Sequence, residues 1–307
     1  MAPVIETKNL NKSFKDFKAV SDLSFSVNKG DVYGFLGQNG AGKSTTIRML
    51  AGLIFPDNGH VFIKGQELHN NTRHLLQHIG AIIERPDMYN YLSGWDNLKI
   101  FASLSNKKIP NTRLHEVLEL TGIADRRKDK VKAYSQGMKQ RLGIAIAMVH
   151  DPDLLILDEP TNGLDPQGIA EMRKLILHLS HDLGKTILIS SHLLYEIEHV
   201  ANRMIIIHKG KKMVEGIVGD LLHPGDTLIQ VSMLPDTDVA GKLAGSAWQV
   251  YVHEHTSSAI TFKMDPAQVP QLNQWLVQNG MQVLEIKTKH LLEEYFISLT
   301  NDAAAKD

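Results

Sequence analysis

The chain has 307 residues, 43% of them hydrophobic and 22% charged, with a formal net charge of −1 and no cysteine. This describes an ordinary globular protein, long enough for one large domain with an appendage or for two domains. Disulfides and thiolate metal sites are excluded, and no bulk charge draws the chain to nucleic acid or an anionic bilayer.

The opening residues, MAPVIETKNL, lack the basic segment and apolar core of a secretory signal. No apolar run approaches the roughly 18 residues needed to span a bilayer, Leu142 to Val149 being the longest. A cytoplasmic location is expected, with any membrane role exercised through a partner.

Up to about residue 216, strand and helix signals alternate. The first strong strand is VYGFL (32–36), a short β-branched and aromatic run suited to burial on both faces of a mostly parallel sheet. It runs directly into GQNGAGKS (37–44), which satisfies G-x-x-x-x-G-K-[ST] between a strand and a helix expected from Thr45 to Leu53. Gly37, Gln38, Asn39, Gly40, Ala41, Gly42, Lys43, Ser44 and Thr45 are therefore expected to bind the phosphates of a nucleotide. The glycines let backbone N–H groups converge on phosphate oxygens at a positive helix end. Lys43 is expected to neutralise the β- and γ-phosphates, and the Ser44 hydroxyl to ligate Mg²⁺.

IGAII (79–83) reads as a second buried strand, and it delivers Glu84 into a Pro-containing loop. Residues 93–150 then give amphipathic helices, WDNLKIFASL, RLHEVLEL and KQRLGIAIAMV, with no strand between them, an insertion into the α/β core. The basic stretch RRKDKVK (126–132) within it reads as a solvated turn. LLILD (154–158) returns to the sheet. Asp158 at its end is placed to hold Mg²⁺ and Glu159, one residue on, to polarise an attacking water as general base. A helix from Pro166 to Leu183 follows, with Asp165 as N-cap, and the strands TILIS (186–190) and MIIIH (204–208) close the region.

From about Asp226 the pattern changes to TLIQVSM, a short helix near Val239, WQVYVHEH, AITFKMD, the helix QVPQLNQWLVQNG, and MQVLEIKT. That βαββαβ order is ferredoxin-like, and a final helix, HLLEEYFISLT, follows it. Two histidine pairs have metal-ligand spacing, His74 with His78 and His253 with His255. With no third ligand nearby, both read as surface residues.

Three further motifs narrow the phosphate-binding class. YSQGMKQR (134–141) resembles the signature loop of ATP-binding cassette (ABC) ATPases, TNGLDP (161–166) is similar to their D-loop, and SSH (190–192) to their switch histidine. Together with the two phosphate-site motifs they cover about residues 3 to 216, in the family's order and spacing. The resemblance implies a P-loop NTPase cassette, mostly parallel α/β, over residues 1–220, with a helical subdomain at about 85–150. A small ferredoxin-like domain would occupy 221–307. It implies MgATP as ligand, adenine stacked on Phe14, and His192 sensing the γ-phosphate beside Glu159. It also implies Ser135, Gln136 and Gly137 gripping nucleotide bound to a second cassette, with Asp165 in the D-loop between.

One phosphate loop and one signature per chain imply work as a dimer or beside a second cassette. The signature departs from the commoner S-G-G-Q, and Glu84 stands where the family usually has glutamine, so a carboxylate there could ligate the metal. The loop IGAIIERP, the YNYLSGWDNL that follows and the tail resemble the cassettes of bacitracin and lantibiotic exporters. The expected role is the ATP-hydrolysing subunit of an exporter of peptide antibiotic, drug or lipid-like cargo. It would sit on the cytoplasmic face through a separate polytopic permease, without nucleic acid. The alternatives are a regulated importer, whose tail senses a ligand, and a soluble non-transport ABC ATPase.

Overall fold

The five apolar runs become the parallel strands of a single sheet, and their burial explains their composition. The computed structural model describes residues 3–84, 87–105, 107–222, 227–235 and 238–290, and the chain divides into two units, Met1–Ile217 and Val218–Asp307.

The first unit opens with β1 (Ile5–Phe14), β2 (Phe17–Val27), β3 (Val32–Gly37), α1 (Lys43–Leu50), β4 (Asn58–Ile63) and β5 (Gln66–Glu67). A 3-10 segment over Asn70–His78 leads to β6 (Ile79–Ile82). Then come α2 (Gly94–Ser103), α3 (Asn111–Leu120) and α4 (Gln136–Met148). The unit ends with β7 (Leu154–Asp158), α5 (Pro166–His181), β8 (Thr186–Ser191), α6 (Leu194–Glu198), β9 (Arg203–His208) and β10 (Lys211–Ile217).

Its main sheet has the order β10-β9-β3-β8-β7-β6. β9, β3, β8, β7 and β6 are mutually parallel and β10 is an antiparallel edge. Every residue of β3, β7 and β8 is buried, which is why these strands read as unbroken apolar runs rather than alternating ones. Strand ends that bear chemistry, Gly37 and Asp158, thus emerge along one edge of a rigid layer.

A second sheet, β2-β1-β4-β5, is wholly antiparallel and packs into the same core through Ile5, Leu10, Val20, Phe25 and Ile63. The sequence pattern did not announce it. In the helical insertion, Asn97 is fully buried and fixes the chain ahead of α2: its Oδ1 accepts from the Tyr89 N–H at 2.8 Å and its Nδ2 donates to the Tyr89 and Ser93 carbonyls. α4 lies against β6 so closely that a Cβ on Gly80 would sit 2.1 Å from the Ala147 carbonyl oxygen.

The second unit contains α7 (Val218–Leu221), β11 (Thr227–Met233), α8 (Val239–Leu243), β12 (Val252–His255), β13 (Ala259–Lys263), α9 (Val269–Gln278) and β14 (Val283–His290). Its sheet is antiparallel with the order β12-β13-β11-β14. Its core gathers Ile229, Val231, Ile260 and Phe262 from the strands with Leu272 and Leu276 from α9. The expected strand WQVYVHEH is only half strand, because Gln249–Tyr251 turn as a 3-10 segment that brings Trp248 and Tyr251 together, ring centroids 6.1 Å apart. Arg85, Pro86 and the expected final helix from Leu291 onward lie outside the described residues.

Candidate active site

Gly37 ends β3 and hands the chain to the glycine-rich loop. Gly40 and Gly42 take φ values of +81° and +102°, and a Cβ on Gly42 would meet the Ala19 carbonyl oxygen at 2.5 Å. Only glycine lets the loop turn this tightly against the β2 backbone. α1 starts at Lys43 with no side chain capping its N-terminus, so its first N–H groups point outward, a favourable setting for an anion. The Nε2 of Gln38, in the same loop, is buried without a hydrogen-bond partner.

Lys43 is 5% exposed, and its Nζ donates to the carbonyls of Gly37 at 2.7 Å and Gln38 at 3.2 Å. The same Nζ lies 3.1 Å from Glu159 Oε1. The other carboxylate oxygen of Glu159 lies 3.1 Å from His192 Nδ1 and 3.4 Å from Asn162 Nδ2. The Glu159 backbone N–H donates to Ser190 Oγ at 3.0 Å, and its φ of +46° is left-handed. That conformation costs a non-glycine residue roughly 1–2 kcal/mol. It throws the side chain off the line of β7 toward the phosphate loop. Asp158, inside the strand, is buried and accepts hydroxyl hydrogen bonds from Ser44, at 3.2 Å, and from Ser190.

These groups face two cavities. One, of about 190 Å³, is lined by Phe17, Ala19, Gln38 to Gly40, Gly42 to Thr45 and Glu159. The other, of about 480 Å³, is lined by Asn39, Ser44, Glu84, Gln136, Gln140, Asp158 and Glu159 among others. Phe17, not Phe14, borders the first. Phe14 pairs with Phe17 across the β1–β2 hairpin, and Lys12 Nζ sits 5.7 Å from its ring.

The residues present fit MgATP. A cradle that tolerates no Cβ, an orphaned Gln38 amide and a buried lysine suit phosphates. Ser44 and Asp158 form a pair of hard oxygens. Among the described residues no three His, Cys, Asp or Glu side chains gather closely enough to hold a metal unaided. That is the usual situation for Mg²⁺, which takes one or two carboxylates and completes its shell with phosphates and water. Glu84 stands in the wall of the larger cavity, but its carboxylate is paired with the guanidinium of Arg48.

Of the signature residues, Gln136 borders the larger cavity and, with Ser135 and Gly137, a further one. Ser135 N-caps α4, its Oγ accepting from the Met138 N–H at 3.3 Å, which leaves the hydroxyl hydrogen for an oxygen acceptor. Asp165 N-caps α5, accepting from the Gly168 N–H at 3.0 Å. Ser135, Gln136, Gly137 and Asp165 line a cavity of about 420 Å³, and Arg141 ties α4 to α5 through Glu171 at 2.6 Å. Of the histidine pairs, His78 is bound to Asp153 at 2.8 Å, whereas His253 and His255 are exposed on β12.

The sequence reading passed over Arg48, Gln140, Phe17, Asn162 and Ser190. Two of these carried a signal: Arg48 follows Ser44, and Gln140 follows Gln136, by four residues on one helix, so each pair shares a face.

A family model described as ABC transporter matches residues 20–162. The bacitracin transport ATP-binding protein BcrA of Bacillus licheniformis is 43% identical over 301 residues, covering 97% of this chain and 98% of that protein. The lantibiotic transport ATP-binding protein SrtF of Streptococcus pyogenes is 41% identical over 212 residues, 69% of this chain and 90% of that one. Among solved structures, cbiO1 from Clostridium perfringens, part of the ABC transporter complex cbiONQ, superposes with a TM-score of 0.65 at 27% identity, covering 72% of this chain and 90% of that one.

Proposed function

Because this chain belongs to the ATP-binding proteins of ABC transporters, we propose that it powers a separate membrane permease that exports peptide antibiotics, drugs or lipid-like molecules. The chain is an ATP-binding subunit of the family's ATP-hydrolysing type. The direction and the cargo class are supported by its likeness to proteins named for bacitracin and lantibiotic transport. No helix among the described residues is long and apolar enough to cross a membrane, so in this reading the path through the bilayer belongs to the partner. An apolar groove of about 570 Å³, lined by Leu53, Ile83, Met88 and Phe101 beside the Glu84 loop, is the surface we assign to that permease.

The observation that carries the catalytic assignment is the relay Lys43–Glu159–His192. Lys43 and the first-turn N–H groups of α1 bind the β- and γ-phosphates, with the adenine against the aromatic hairpin of Phe14 and Phe17. Ser44 and Asp158 would hold Mg²⁺, which supplies charge neutralisation across the phosphates. Once the phosphates engage Lys43, Glu159 keeps His192 and Asn162 as partners. It takes the proton from the water that attacks the γ-phosphorus. His192 fixes the orientation of that carboxylate and contacts the γ-phosphate. Ser135, Gln136 and Gly137 close over the nucleotide of a second cassette, with Asp165 at the joint. Residues 1–220 form the cassette in this assignment, and 221–307 an accessory domain.

The test is reconstitution. The chain should co-purify with a polytopic membrane protein, and vesicles containing both should move labelled peptide antibiotic to the face opposite the cassette on addition of ATP. Transport toward the cassette face would make it an importer. Robust activity with no membrane partner in any pull-down would favour a soluble ATPase.

A further inference from the structure

We infer that Arg48 is a positioning residue for the metal–nucleotide site, competing with Mg²⁺ for the carboxylate of Glu84. The inference rests on the reading of Glu84 as a metal-facing acid. It names a residue to which no role has been given.

Three observations carry it. First, Arg48 stands four residues after Ser44 on α1, one helical turn and about 6 Å along the same face. Arg48 thus lies on the helix face that carries the hydroxyl assigned to the metal, one turn further from the phosphate loop. Second, the Arg48 guanidinium is bonded to the carboxylate of Glu84, at the exit of β6 and across 36 residues of chain. Third, Glu84 has a φ of +63°, a left-handed conformation uncommon for a non-glycine residue, so the turn at the exit of β6 helps set where its carboxylate lies.

The charge pattern around the larger cavity gives the pair its meaning. Glu84, Asp158 and Glu159 all line it. Glu159 is paired with Lys43 and Glu84 with Arg48, whereas Asp158 has hydroxyl partners, Ser44 and Ser190. A divalent cation beside Ser44 and Asp158 thus meets one carboxylate held by hydroxyls and another already claimed by a guanidinium. Arg48 is bonded to Oε1 of Glu84, and its positive charge weakens the pull of that carboxylate on a second cation, direct or through a water, even where the other oxygen stays open. The ion pair is half-exposed, with side-chain exposures of 39% for Arg48 and 58% for Glu84, so the competition is modest and readily reversed.

The experiment measures the ratio of nucleotide dissociation constants in EDTA and in saturating Mg²⁺, using a non-hydrolysable ATP analogue and the full-length chain. Arg48→Gln should raise that ratio about two- to fivefold, the range set by a half-exposed ion pair. Arg48→Lys, which keeps the charge, should stay near wild type. Glu84→Gln should lower the ratio. Arg48→Gln placed on Glu84→Gln should add nothing, which separates competition from a general loss of positive charge near the phosphates. If Glu84→Gln leaves the ratio unchanged, the metal-facing reading fails and the inference with it. If Glu84→Gln lowers it while Arg48→Gln is silent, or acts equally with and without Glu84, only the inference is overturned.

Discussion

Replacing Glu159 by glutamine separates its two assigned jobs, because glutamine keeps the shape and loses both the charge and the ability to accept a proton. The Coulomb attraction of Lys43 and Glu159 at 3.1 Å is about 5 kcal/mol before desolvation, at an effective dielectric constant of about 20. Most of that is offset by the cost of burying both charges, leaving a net term on the scale of a charged hydrogen bond, roughly 1.5–3 kcal/mol. Arriving phosphates must share or take Lys43 from this carboxylate. Removing the competitor should therefore tighten MgATP binding, by about tenfold if roughly 1.4 kcal/mol is recovered. Hydrolysis should fall at least 10²-fold, the lower end of a general base's usual contribution. Calorimetric titration gives the affinity and single-turnover phosphate release gives the rate. Turnover within about tenfold of wild type would remove Glu159 from the role of base. An affinity that drops would show that the Lys43–Glu159 contact does not oppose nucleotide binding.

Lys43→Ala should have the contrary signature, a large loss of affinity for ATP and for inorganic triphosphate alike, seen by the same titration. A chain ending near residue 220 should still bind ATP, since every nucleotide motif precedes that point; a folded truncation that cannot bind would move the boundary. Burial lowers the pKa of His150 below its ordinary 6.5, so the unfolded chain takes up protons first and stability falls as pH drops below about 6.5. His150→Gln should flatten the melting temperature between pH 7.5 and 5.5. Gly80→Ala would push a methyl group into the α4 backbone and should cost about 1–3 kcal/mol of stability in denaturant unfolding.

What could be read in advance depended on whether the signal was local. β3, β7 and β8 are buried on both faces, so their composition alone identified them, and the phosphate loop is recognisable because strand, glycines and helix are contiguous. β1 escaped notice for a physical reason. Its pairing with β2 shifts register three times, and Asn9 is left-handed, so IETKNLNKSF never shows a clean alternation. The acids Asp158 and Glu159 were legible from the end of an apolar strand. The torsion that turns Glu159 from strand to lysine was not. Nor was the Arg48–Glu84 pair, which is created by tertiary packing between α1 and the exit of β6. Phe17 was overshadowed by Phe14, which the resemblance singled out for adenine; the hairpin pairs the two, and only the fold shows that Phe17 borders the phosphate loop.

The helical insertion meets the sheet at two junctions. β6 and β7 are neighbours and parallel, so some crossover must join them, and a single helix of a dozen or more residues would serve. Residues 83–153 do that work here, and among the described residues they carry three α-helices and two short 3-10 segments in place of one helix. At both ends the chain bends through a left-handed residue that is not glycine, Glu84 at φ +63° and Asp151 at φ +56°, the latter anchored by Lys185 at 2.7 Å. The insertion thus occupies the place of an ordinary crossover connection, joined covalently to the sheet at two points one strand apart. Such a segment is exchangeable as a module. A chimera that receives the crossover of another cassette between these junctions should change its membrane partner while retaining the phosphate loop, β7 and β8. Nucleotide titration and co-purification would read the two properties separately.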